Sequence, residues 1–125
     1  MNRFTSWLLL FLVFSADGIM NAQELPKDYF SNPMEIPLIL SGSFGELRSN
    51  HFHSGLDIKT QQREGIPIYA PADGYVSRIK VAHFGYGKAL YIKHPNGYST
   101  VYAHLSDYAG DIQQFVKNQQ YKKFL

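Results

Sequence analysis

Residues 89–104 read ALYIKHPNGYSTVYAH, and this stretch carries the clearest secondary-structure signal in the chain. Two runs rich in β-branched and aromatic residues, Ala89–His94 and Tyr98–His104, flank a short polar turn. Asn96 and Gly97 in that turn are residue types that tolerate positive φ, which is the strongest local signal for a β-hairpin. The stretch therefore predicts two antiparallel strands joined by a tight turn.

Similar runs continue on the N-terminal side and alternate with turn signals. They are Ile36–Leu40, Leu56–Ile58, Ile66–Ala70 and Tyr75–Ala82. Short strands at this spacing are typical of a mainly antiparallel β domain. On the C-terminal side, apolar residues recur at helical spacing in a Gln- and Lys-rich segment, so we expect a short surface helix from about Asp111.

Composition limits the classes of function. A chain of 125 residues fits at most one ordinary domain. The net charge of +2, with basic and acidic residues interspersed, gives no strong field, so neither nucleic-acid binding nor binding to a membrane surface is expected. Cysteine is absent, which excludes disulfides, thiolate zinc sites and a Cys nucleophile. Any metal ion must be held by nitrogen and oxygen ligands.

The first 35 residues are typical of an export signal followed by a lead-in. Arg3 precedes the apolar run Trp7–Phe14, and small or polar residues lead to Ala22, so we expect a signal peptide over residues 1–22. The apolar run is much shorter than the roughly 20 residues of a spanning helix, so we expect no stable membrane insertion. The proline-containing residues 23–35 predict an extended lead-in to a domain over residues 36–125.

His53 and Asp57 are the first candidates for a metal site, because imidazole and carboxylate are both good zinc ligands. In a straight strand their Cα atoms would lie about 13 Å apart, so a bend is required, and Gly55 can supply it. From the spacing alone, a polar loop in which His53 caps a turn is the commoner arrangement.

The remaining histidines carry weaker signals. His104 ends a β-rich run, where side chains can project into a cleft, although a structural histidine is again commoner from position alone. His83 and His94 flank turns and have no partner at ligand spacing, so we expect structural roles for both. His51 forms a His-x-His pattern with His53 that can bind a divalent metal, but we expect it at the surface or behind the ligands.

Five motifs, taken together and in order, resemble the lysostaphin/LytM-type zinc endopeptidases over residues 40–107. They are Gly42-Ser43-Phe44-Gly45, His53-x-x-x-Asp57, Pro67-Ile68-Tyr69-Ala70-Pro71-Ala72-Asp73-Gly74, Gly85-Tyr86-Gly87 and Tyr102-Ala103-His104-Leu105. The resemblance implies an antiparallel β fold of the duplicated hybrid motif with Zn²⁺ at the floor of a narrow groove. It also implies hydrolysis of amide bonds in the peptide cross-links of peptidoglycan.

In that family, His53 and Asp57 match the first two zinc ligands, and His104 matches a catalytic histidine. The third ligand and a second catalytic histidine belong to a downstream His-x-His motif, which has no counterpart here. The resemblance therefore implies a partial domain that lacks its C-terminal strands and is inactive alone. Two alternatives stay open: a non-catalytic relative that binds the wall or regulates hydrolases, and a secreted β-sheet binding module with incidental histidines.

Export is the first testable prediction. We expect the mature protein to begin near Gln23 and to reside in the periplasm or cell envelope, or outside the cell, because the implied substrate lies beyond the cytoplasmic membrane. N-terminal sequencing of exported material measures this directly. Exported protein that still begins at Met1 would contradict the prediction.

Overall fold

The computed structural model describes residues 27–123, which contain two antiparallel sheets and one helix. The elements are β1 (Leu40–Gly42), β2 (Asp57–Ile58), β3 (Tyr75–Val81), β4 (Lys88–Lys93), β5 (Ser99–Tyr102) and α1 (Gly110–Lys122). β1 pairs with β2, and β4 lies between β3 and β5. The predicted antiparallel β fold with a helix near the end is confirmed. The expected signal peptide, residues 1–22, lies outside the described residues.

No helix among the described residues has the length and apolar character needed to cross a membrane.

The hairpin between β4 and β5 forms, but its turn differs from the predicted one. Gly97 has φ 87°, whereas Asn96 does not adopt positive φ. The Gly97 N–H donates to the His94 carbonyl at 3.0 Å, and the His94 N–H donates to the Tyr98 carbonyl at 2.9 Å. This is a three-residue loop in which a β-turn is followed by a left-handed glycine. Pro95 favours it, because its ring fixes φ near the value of the first turn position.

The strand predicted over Ile66–Ala70 is wrong, since no strand is found there in the described structure. The segment instead makes irregular contacts with the lead-in. Tyr69 donates its N–H to the Pro33 carbonyl at 2.8 Å, and Ser31 donates its N–H to the Pro71 carbonyl at 2.8 Å. Prolines in both segments lack the N–H groups that a regular ladder requires. The described part of the lead-in therefore packs against the domain without forming a strand.

The core lies along β4, the central strand of the larger sheet. Ala89 is fully buried, and Ile92 is 8% exposed. His94, just after the strand, is 2% exposed and has both ring nitrogens bonded. Its Nδ1–H donates to the Asp73 carbonyl at 2.8 Å, and its Nε2 accepts from the Thr100 hydroxyl at 2.9 Å. With both nitrogens satisfied, His94 stabilises the end of the sheet, as expected for a structural histidine.

Tyr108 and Lys88 attach the segment that follows β5 to the larger sheet. The Tyr108 hydroxyl donates to the Lys80 carbonyl at 2.6 Å and also reaches the Ala89 carbonyl at 3.3 Å. Lys88 Nζ donates to Asp107 Oδ1 at 2.8 Å, and this hydrogen bond lowers the pKa of the Asp107 carboxyl. Burial raises the pKa of the Tyr108 phenol. These contacts hold residues 103–108, which include His104, against β3 and β4.

We expect Tyr108→Phe to lower the free energy of unfolding by about 1 kcal/mol, because it removes a hydroxyl that bonds two backbone carbonyls. Chemical denaturation measures the difference. Tyr121→Phe is the matched control, since Tyr121 is 70% exposed, and its effect should be negligible.

This stabilisation should also depend on pH. The pKa of Tyr108 in the folded state lies above its ordinary value of 10.0, so the folded state holds the phenol proton more tightly than the unfolded state does. The contribution is complete below about pH 10 and is lost as pH rises through the folded pKa. The difference in the free energy of unfolding between the wild type and Tyr108→Phe should therefore become smaller in alkaline solution. A difference that widens there, or an equal effect of Tyr121→Phe, would contradict the assignment.

Candidate metal centre

The structure brings the candidate ligands His53 and Asp57 together. His53 Nε2 lies 3.2 Å from Asp57 Oδ1. The chain bends at Gly55 between them, and Asp57 is the first residue of β2. Two ligands of one tetrahedral zinc ion, with bonds of about 2.0–2.1 Å, lie about 3.3 Å apart. The separation of these two atoms therefore fits shared coordination of one metal ion.

A backbone carbonyl fixes the orientation of the His53 ring. His53 Nδ1 lies 3.0 Å from the Ser43 carbonyl oxygen. Because a carbonyl can only accept, Nδ1 carries a proton and donates it to Ser43, which leaves Nε2 as the ring nitrogen that faces Asp57. A lone pair and a carboxylate oxygen repel each other at this distance unless a proton or a metal cation lies between them. The donor set is thus suited to a cation.

Arg48 holds the second oxygen of Asp57. Arg48 Nη2 lies 2.8 Å from Asp57 Oδ2 and 3.4 Å from Glu46 Oε2. The same Glu46 oxygen accepts the Ser43 N–H at 3.1 Å. Glu46, Ser43, His53, Asp57 and Arg48 therefore form a closed ring of polar contacts. With Oδ2 engaged by Arg48, Asp57 presents Oδ1 alone to the imidazole.

Gly42 provides the space for this ring. The pairing of β1 with β2 places Gly42 opposite Asp57. A Cβ atom at position 42 would collide with the Arg48 guanidinium and lie 2.6 Å from Asp57 Oδ2. A residue larger than glycine would therefore displace the Arg48–Asp57 ion pair.

His104 lies beyond β5 in a left-handed conformation, with φ 57°. For a residue other than glycine such a backbone costs on the order of 1–3 kcal/mol, so tertiary contacts must hold it. Its N–H donates to the Tyr86 carbonyl at 3.0 Å, and the Leu105 N–H donates to the Lys88 carbonyl at 3.0 Å. The Tyr86 ring meets the imidazole edge-on, with centroids 6.5 Å apart. The backbone of His104 is fixed while its side chain remains exposed.

The described residues contain no cluster of three or more His, Cys, Asp or Glu side chains suited to a metal ion. His51 is exposed and lies beside Asn50, with Nδ1 2.6 Å from Oδ1 of that residue. Sequence reasoning did not single out Arg48, because an isolated arginine carries no signal. Its role follows from the fold of the segment between β1 and β2.

Comparison with known proteins gives consistent matches. Residues 51–121 match the profile of Peptidase family M23. The chain is 38% identical over 101 residues to an uncharacterized metalloprotease of Haemophilus influenzae, covering 76% of this chain and 21% of that protein. It is 41% identical over 63 residues to the DD-carboxypeptidase/endopeptidase Mpg of Neisseria meningitidis, covering 50% of this chain and 14% of that protein.

A third relative is the cell division protein DipM of Caulobacter vibrioides, which is 32% identical over 91 residues, covering 73% of this chain and 14% of that protein. No solved structure shows a significant match. The chain thus spans between 14% and 21% of the length of these relatives. The family profile covers more than half of the chain and includes His53, Asp57 and His104. Together with the antiparallel fold, this match shows that the chain belongs to peptidase family M23.

Proposed function

We propose that this chain is part of a zinc-dependent endopeptidase that hydrolyses amide bonds in the peptide cross-links of peptidoglycan. The observation that carries the proposal is the 3.2 Å separation of His53 Nε2 and Asp57 Oδ1. The names of two relatives, a DD-carboxypeptidase/endopeptidase and a metalloprotease, support a peptide substrate and a metal ion. A substrate in the cell wall also agrees with the export that we propose from the N-terminal residues.

His53 and Asp57 would hold the zinc ion, with Ser43 and Arg48 fixing the orientation of the two ligands. When bound, zinc would polarise the scissile carbonyl and help to activate water near neutral pH. His104 would donate a hydrogen bond to the oxygen that gains negative charge, or transfer a proton to the leaving group. Its fixed backbone limits the positions that the imidazole can reach, which favours one direction of approach to the substrate.

A catalytic zinc site typically has three protein ligands and a water molecule. His53 and Asp57 supply two, so we propose that an imidazole from outside the described residues supplies the third. The two-ligand set also favours a second candidate function, that of a non-catalytic relative that binds the wall or regulates hydrolases. Assays of zinc binding and of hydrolysis distinguish the two functions.

We expect this chain to bind zinc weakly. The loss of affinity should be largest when a proposed ligand is replaced and smaller when its neighbour Arg48 is replaced. His53→Ala and Asp57→Asn should abolish the binding measured by calorimetric titration. Arg48→Gln should weaken it by about 10–100-fold, because the neighbour that orients Asp57 is lost. His83→Ala, which removes an exposed histidine, is the matched control and should bind zinc as the wild type does.

Unchanged zinc binding in His53→Ala, or an equal loss in His83→Ala, would contradict the ligand assignment. Tight equimolar binding that is lost in His51→Ala would instead identify His51 as a third ligand.

Hydrolysis should require the third ligand. A longer polypeptide that adds a His-x-His segment after this chain should release peptides from purified peptidoglycan, whereas the 125-residue chain should not. In the longer form, His53→Ala should abolish hydrolysis. His104→Asn, a residue type that tolerates the left-handed conformation, should lower kcat by about 10²–10⁴-fold.

The zinc content of His104→Asn should equal that of the wild type, since His104 is proposed to act on the substrate. Hydrolysis that survives His53→Ala would refute the zinc mechanism. Binding to the wall without cleavage by the zinc-loaded longer form would identify the non-catalytic relative.

A further inference from the structure

We propose that Tyr86 is a positioning residue that couples His104 to the pair formed by His53 and Asp57. The catalytic significance of this coupling rests on the proposed function, but the coupling itself is a property of the zinc-free chain. It is inferred from the separation of the two halves of the site and from the contacts of one side chain.

The two halves of the site belong to different sheets. Asp57 begins β2 of the smaller sheet, and His53 lies four residues before it. His104 follows β5 of the larger sheet. Within residues 27–123, no Cα atom in the strands of one sheet lies within 8 Å of a Cα atom in the strands of the other. Backbone pairing therefore does not fix the position of His104 relative to the candidate ligands.

Tyr86 contacts both halves. Its hydroxyl lies 3.1 Å from the hydroxyl of Ser54, which directly follows His53. Its backbone carbonyl accepts the His104 N–H at 3.0 Å, and its ring lies edge-on to the imidazole. In the described part of the chain, the hydrogen bond between Ser54 and Tyr86 is the one polar contact between residues 40–58 and residues 75–108.

Because Tyr86 is partly exposed, its hydroxyl affects the position of His104 more than the stability of the fold. The side chain is 40% exposed, so water can satisfy the hydroxyl if Ser54 is removed. The left-handed backbone of His104 is held by the Tyr86 carbonyl, so a displacement of the residue 86 loop is transmitted directly to the imidazole. Tyr86→Phe removes the link to Ser54 and keeps both contacts with His104.

The test follows the His104 ring by NMR in the zinc-free, full chain labelled with ¹³C and ¹⁵N histidine. His104→Asn assigns the signal. We expect Tyr86→Phe and Ser54→Ala to displace the His104 signal in the same direction, and the double variant to displace it no further, since both changes break one bond.

Two variants serve as controls. Tyr121→Phe removes an exposed phenol hydroxyl, and Ser77→Ala removes a hydroxyl that lies 3.3 Å from the Tyr91 carbonyl within the larger sheet. Both should leave the His104 signal in place, and thermal unfolding should show that all variants remain folded.

A His104 signal that does not move in either single variant would overturn the proposal. Displacements that add in the double variant, or that the controls reproduce, would overturn it as well. Because the protein contains no zinc in this measurement, the result is independent of the calorimetric titration. Failure of His53 and Asp57 to bind zinc would refute the proposed function and leave the coupling intact.

Discussion

In the candidate metal centre, the ion pair between Arg48 and Asp57 fixes the position of the Asp57 carboxylate. A carboxylate that is free at both oxygens can rotate, but Arg48 binds Oδ2 at 2.8 Å and so directs Oδ1 toward His53. The two charged side chains are 36% and 43% exposed, and pairs of this kind contribute about 0–1 kcal/mol to stability. The main effect of the pair is therefore on the orientation of the Asp57 carboxylate. Gly42 permits that orientation by leaving space beside it.

The backbone of His104 has an unfavourable conformation, and contacts with neighbouring residues stabilise it. The left-handed conformation is held by the Tyr86 carbonyl, while Lys88 and Tyr108 anchor the residues that follow. This arrangement leaves the imidazole exposed and its attachment rigid. Such strained residues are concentrated at functional sites, where a fixed backbone limits the positions that a side chain can reach.

The two parts of the site thus differ in what fixes them. Hydrogen bonds within the smaller sheet and its loop fix His53 and Asp57, whereas the larger sheet fixes His104. Within residues 27–123 the Cα atoms of the strands of one sheet lie more than 8 Å from those of the other, so residues outside the strands take part in setting the distance between the two parts. Tyr86 has the contacts required for that role.

Local chemistry was sufficient for much of the fold. The hairpin around Gly97, the β-rich runs on either side of it and the helix after Asp111 depend on a few neighbouring residues, so their positions could be predicted from the sequence, although the turn that forms differs from the predicted one. The segment Ile66–Ala70 has the composition of a strand, but its backbone bonds to the irregular lead-in. The composition of the segment carries no information about that partner.

The site was less accessible to sequence reasoning. The spacing of His53 and Asp57 by itself favoured a polar loop, and the family motifs supplied the interpretation as a metal site. Arg48 lies nine positions from Asp57, and Ser54 lies 32 positions from Tyr86. Neither contact has a local signal, because a side chain that reaches across segments depends on strand register and on the packing of the loops between them. Register and packing are properties of the folded chain as a whole, and they bring these residues into contact.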